Sequence, residues 1–249
     1  MMLVVPLVLA VSAAAGAEAQ IEAALAHFRD RRFNEARQYL DRALALAPGS
    51  AAAWKLLGMT YSAEENYSAA EEPFQKACRM APALEDVCYY LGRDQYMLNK
   101  FEAAEGAFAK ALRAGGKPWR AHNGMALTLE ALGRSDAAED QFRKAVELSS
   151  GAQPRPSESP RIDYGAFLYK QGRLDEAIRE LSLAPPCFRS YFELGKALFM
   201  KERFEQAARE LEKALAFPGG DASALLLLAK VYFRLGRSAE AERLLSPYR

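Results

Sequence analysis

A pattern of bulky, small and aromatic residues returns along this chain about every 34 residues, and that self-similarity leaves few folds open. It is fullest at Trp54, Leu57, Gly58 and Tyr61, followed by Tyr67, Ala70, Phe74, Ala77 and Pro82. One period earlier stand Ala24, Phe33, Ala36, Leu40, Ala43 and Pro48. Later periods give Leu91, Gly92, Phe101, Ala104 and Phe108, then Ala126, Leu129, Ala138, Phe142 and Ala145. The phase slips at residues 149–160, SSGAQPRPSESP, a loop by composition. It resumes with Tyr164, Gly165, Leu168, Ala177 and Leu181 in a fifth period cut short at Pro185-Pro186. Tyr191, Gly195, Leu198, Ala207 and Leu211 mark a sixth, and Leu228, Ala229, Tyr232, Ala241 and Leu245 an abbreviated seventh.

Within each period the apolar residues fall at helical spacing in two runs. The reading is two antiparallel helices, A then B. Glycine or alanine lets the two approach closely, a Phe or Leu fills the space beside the contact, and Pro stops helix B. One such hairpin cannot bury its own apolar face, so neighbours must stack. The predicted fold is therefore all-α, a solenoid of about seven helical hairpins. Pro73 falls inside one helix B, and with Ser68 read as its N-cap the proline sits early enough to bend the helix without breaking it.

These residues resemble the tetratricopeptide repeat family, in an exported bacterial form, across residues 18–245. The resemblance implies a right-handed superhelix with helix A lining the concave side, and an adaptor that binds a peptide segment there. Residues 18–148 hold units one to four, 149–160 an insertion, and 161–249 units five to seven, the last truncated.

The phase assigns the inward positions of helix A. Those expected to bind a partner are Lys55, Tyr89, Arg93, Tyr96, Arg120, Asn123, Tyr169, Arg189, Phe192 and Lys196. Over all inward positions nine cations face three acids, whereas the chain carries a net charge of +1. Arginine and aromatic residues are preferred interface anchors, and cations sharing a cleft focus field on an acidic ligand. An acidic protein or peptide partner is expected. The carboxylate clamp of the family is missing: Lys55 is followed by Met59 where that clamp has Asn, and Asn123 has Trp119 one turn before it.

Near-neutral charge argues against a nucleic-acid partner. His27 and His122 have no Ser, Cys or Asp at a motif spacing, and no phosphate-binding glycine loop exists. Gly115-Gly116 and Gly219-Gly220 read as helix caps. An enzyme is the remote reading, and no cofactor or metal is expected. A third reading is a subunit of an envelope assembly, acting through the Leu225-to-Leu228 run at the C-terminal end.

Residues 1–17 carry no charged side chain, and residues 3–11 are apolar. Ala15 and Ala17 put small residues where a signal peptidase reads, so cleavage near Ala17 and a periplasmic or secreted product are expected. The alternative is an uncleaved N-terminal anchor, the one route to membrane contact. Cys78 and Cys88 stand on successive helices and could bridge in an exported protein; the plainer expectation is that each is a small buried apolar residue.

Overall fold

A computed structural model describes residues 4–84, 86–152, 154–218 and 222–246; the side chains of residues 4–13 lie outside this description, as do Gly219 and Gly220. The regular structure among the described residues is 14 α-helices and one short 3-10 turn, with no strand. They fall into two compact units, residues 1–134 and 135–249.

The first unit contains α1 (Val4–Arg29), α2 (Phe33–Leu46), α3 (Ala51–Ala63), α4 (Tyr67–Met80), α5 (Val87–Met97), α6 (Phe101–Ala114) and α7 (Pro118–Ala131). Odd-numbered helices are A helices and even-numbered ones B helices. The chain reverses from A to B at Arg31, Glu65 and Asn99, each in the left-handed backbone region, and Gly133 after α7 is left-handed as well. α1 runs through Ala17, which is buried at 2% exposure, as is Ala24 at 0%. No helix among the described residues is long and apolar enough to cross a membrane.

The second unit contains α8 (Ser135–Ser149), the 3-10 turn (Pro156–Glu158), α9 (Pro160–Lys170), α10 (Leu174–Ser182), α11 (Phe188–Met200), α12 (Phe204–Leu215), α13 (Ala222–Arg234) and α14 (Ser238–Leu245). Its left-handed turns are at Gly172, Glu202 and Gly236. The expected slip shows in the loop and 3-10 turn between α8 and α9, and the shortened fifth period in α10.

The same two B-helix positions build the core throughout. Ala36, Ala70, Ala104, Ala138, Ala177, Ala207 and Ala241 are all at 0% exposure. Four residues after each of the first six come Leu40, Phe74, Phe108, Phe142, Leu181 and Leu211, all buried. Covering one such Leu or Phe is worth about 1.5–3 kcal/mol.

Pro73 is buried and α4 continues past it to Met80. Its cap is Asn66 and not Ser68: the Asn66 side chain accepts from the Ala69 N–H at 3.2 Å, one position outside the helix, as an Ncap must. Cys78 and Cys88 form a disulfide with Cα atoms 5.1 Å apart, tying α4 to α5. The plainer expectation of two separate apolar thiols is therefore replaced, because the turn between these helices brings both Cβ atoms to one seam.

Successive hairpins are laced by a recurring ion pair. Glu71 on α4 pairs with Lys100, and Glu105 on α6 with Arg134 at 3.0 Å, both across 29 positions of sequence. Glu139 on α8 pairs with Arg173 at 2.6 Å across 34. The extra positions are the insertion, seen as a longer path between partners that still meet.

Candidate functional site

In the first unit, Lys55 on α3 is half-buried with no ion-pair partner among the described residues. Tyr89, Arg93 and Tyr96 lie on α5, Arg120 and Asn123 on α7, and all five are half-buried. The Arg120 guanidinium stands 5.9 Å from the Tyr89 ring and pairs at 3.5 Å with Asp86, which also accepts from the Lys117 N–H. The Arg93 guanidinium donates to Asp94 at 2.8 and 2.9 Å and also to Ser62 of α3. Ser62 in turn donates to the same Asp94 oxygen at 3.1 Å. Asp94 is at 0% exposure, and its second oxygen has no hydrogen-bond partner. Burial pushes its carboxyl above the ordinary range against the pull of Arg93 and Ser62.

In the second unit, Arg189 on α11 pairs with the buried Asp163 of α9. Lys196, also on α11, pairs with Glu193 at 2.7 Å. Its ammonium lies 5.1 Å from the Tyr169 ring and 5.5 Å from Phe192, a cation between two aromatic faces. Tyr169 and Phe192 are half-buried.

The charge reading is corrected by these pairings. Asp94, Asp163 and Glu193 were not among the inward positions, yet each neutralises a cation that was. These three acids halve the net excess of six positive charges counted along helix A. Neighbours in sequence ordinarily point apart on a helix, so Asp94 gives no hint beforehand that Arg93 will wrap back onto it.

What the charge count missed is apolar. Among the described residues, the large hydrophobics left about half exposed include Met97 (50%) on α5, Met200 (54%) on α11, and Leu226 (53%) and Phe233 (49%) on α13. These four hold inward positions of helix A, whereas Leu183, just past α10, and Leu46, Met80 and Leu148 of B helices are exposed elsewhere. Of the Leu225-to-Leu228 run, Leu228 is buried and Leu226 alone is exposed. No group of three or more His, Cys, Asp or Glu among the described residues is placed to hold a metal.

Models of the tetratricopeptide repeat match residues 17–83, residues 89–153 and 168–222, and residues 198–249. No curated protein matches the sequence. Among solved structures, Pseudomonas aeruginosa PilF superposes with a TM-score of 0.69 at 19% identity, over 88% of this chain and 99% of that one. Cut9 in its complex with Hcn1, from the APC/C, gives 0.70 at 16% identity, over 86% and 42%. YrrB, described as a tetratricopeptide protein with an unusual peptide-binding site, gives 0.52 at 22% identity, over 75% and 96%. At such identities the likeness is one of fold. With the repeat models spanning nearly the whole sequence, the chain belongs to the tetratricopeptide repeat family.

Proposed function

We propose that this protein is a non-catalytic adaptor that holds a segment of a partner protein on the inward face of its A helices. The observation that carries this is the exposure of Met200, Leu226 and Phe233 at inward positions of α11 and α13. Large apolar groups left in water on one face mark interaction surfaces. Around them Tyr169, Phe192 and Lys196 add aromatic area and one cation, the composition of an anchoring pocket. A peptide-binding relative of the same fold, YrrB, supports the general mode.

In the first unit the inward face exposes Met97 but is otherwise largely polar, with Arg93 and Arg120 already engaged. It orients a partner and contributes less binding energy, because displacing an existing carboxylate returns little. The acidic partner expected from the charge count is accordingly the weaker half of the reading; the apolar anchors are the stronger.

The Cys78–Cys88 disulfide supports an oxidising compartment. Together with the apolar, uncharged residues 1–17 it favours export, with the chain working in an envelope or secreted fraction.

A photo-crosslinking residue placed at Phe233 or Met200 in the native host should yield a discrete adduct, and one placed at Arg209 on α12 should not. The double substitution Leu226→Glu, Phe233→Ala should abolish the adduct formed from Met200 and weaken binding of the captured partner by about 2 kcal/mol or more, the hot-spot scale. Adducts of equal yield at Arg209 and Phe233 would remove the assignment of face.

A further inference from the structure

Between the parallel B helices α4 and α6 lies an open cleft of about 920 Å³, on the side of α5 turned away from its inward positions. Its floor is Leu91 and Gln95 of α5, and one wall is Ala103, Gly106 and Ala107 of α6.

The repeat explains why it opens here. Two residues after the buried alanine of each B helix, the other hairpins carry Gln38, Glu72, Asp140, Arg179, Arg209 and Arg243. In this hairpin the position is Gly106, and a side chain built on it would meet nothing within 4 Å. The next residue is Tyr39, Pro73, Gln141, Glu180, Glu210 or Leu244 elsewhere, and Ala107 here.

A second observation is independent of these small residues. Gln95 takes the register position held by Tyr61 in the preceding hairpin and Leu129 in the following one. It is 4% exposed, and its Nε2 donates to Glu71 at 3.1 Å. Its Oε1 is buried and accepts no hydrogen bond among the described residues, and Gln95 lines the cleft. A buried acceptor left unmatched is costly, and a donor entering the cleft would satisfy it.

Charge is graded along the cleft. At the C-terminal ends of α4 and α6 stand Arg79, Lys110 and Arg113, none with a carboxylate within ion-pair distance among the described residues. At the opposite end, on the first turn of α6, stands Glu102.

We propose that this cleft is a second docking site, separate from the inward face, which takes a polypeptide segment of a partner protein that is apolar along its length and acidic at one end. The acidic end sits at Arg79, Lys110 and Arg113, the apolar length against Leu91, Ala103 and Ala107, and an N–H meets Gln95 Oε1. Glu102 discriminates against a uniform polyanion such as a nucleic acid, which would carry negative charge the full length of the cleft.

The test substitution is taken from the repeat itself. In the preceding hairpin, Glu72 occupies the position of Gly106 and pairs at 2.8 Å with Lys76, which occupies that of Lys110. Gly106→Glu should therefore place a carboxylate on the wall of the cleft and neutralise Lys110. Glutamate is also a better helix former than glycine, so the variant should fold with unchanged helix content and an equal or higher Tm. Fluorescence anisotropy of the full chain with an alanine- and leucine-rich labelled peptide ending in aspartates should show binding. The Gly106→Glu variant should weaken it about tenfold or more, and so should replacing the peptide's aspartates with lysines. The inward-face variant Leu226→Glu, Phe233→Ala should bind this peptide like wild type, which separates failure here from failure of the first site. Absence of binding to wild type, equal binding by the lysine-ended peptide, or indifference to Gly106→Glu overturns the proposal. So does a self-association that Gly106→Glu abolishes, which would make a second copy of the chain the occupant.

Discussion

Gly58 of α3 lies flat against the Phe74 ring of α4, so closely that a Cβ on it would stand 2.7 Å from the Phe74 Cδ1. Phe74 is at 0% exposure and has nowhere to withdraw. Gly58→Leu should therefore overpack this crossing and cost about 1–3 kcal/mol, read as a lower denaturant midpoint with unchanged slope. An unchanged midpoint would mean that the two helices do not cross at this glycine.

Asp94, beside Arg93, contributes to the acid response of the first unit. The folded state holds the Asp94 proton more tightly than the unfolded chain, because burial raises its carboxyl above the ordinary value. This group's contribution to stability therefore grows as pH falls through its raised titration, and is complete below the unfolded pKa of about 3.9. Against Asp94→Asn, wild type should gain relative stability on acidification from pH 7. Arg93→Ala should cost about 1–3 kcal/mol at neutral pH, since it leaves the buried carboxylate with Ser62 alone. Urea unfolding of the three proteins across pH 4–7 measures both effects.

Glu139 should behave with the opposite sign. The hydrogen bond from Arg173, helped by those from Tyr164 and Arg143, holds its carboxyl below the ordinary range. Its contribution is present above the unfolded pKa and is lost as pH falls through the lowered folded one. Glu139→Gln should cost about 1 kcal/mol at pH 7, and the difference from wild type should shrink in acid. A gap that widens with acidification would exclude this carboxylate as the link between α8, α9 and the start of α10.

The Cys78–Cys88 bridge closes a loop of sequence separation 10. Its removal by Cys88→Ser should cost about 2.5 kcal/mol on chain-entropy grounds, seen as a lower Tm that reductant no longer changes. If the protein is exported, the mature chain should begin near Glu18, and thiol alkylation of freshly isolated protein should label Cys187 and spare the bridged pair. Intact Met1 with three alkylated cysteines would place it in a reducing compartment.

The hairpins were legible because Trp54, Leu57, Gly58 and Tyr61 carry both helical spacing and a size pattern, and those properties survive without knowledge of any neighbour. The A-face chemistry was less so. Arg93 and Arg189 could be placed on a face from phase alone, but their partners Asp94 and Asp163 sit at the seam between A helices, where what meets depends on how closely hairpins stack. Periodicity does not separate Asn66 from Ser68 as a cap, because a difference of two residues in a helix start is below what it resolves. Gly106 gains its meaning only when the B helices are laid over one another and every other hairpin has a polar or charged side chain at that position.

The Glu139–Arg173 pair spans more sequence than Glu71–Lys100 or Glu105–Arg134, yet joins the same two places on adjoining hairpins. Chain length between α8 and α9 is thus tolerant of change: residues 150–152 stand exposed ahead of the 3-10 turn, which itself meets α11, and the entropy of closing such a loop grows only with the logarithm of its length. The joint is a natural splice point. A fluorescent protein or an affinity domain inserted there should ride on the outside of a solenoid that keeps its register, which offers a way to label this protein in its host while both of its termini stay untouched.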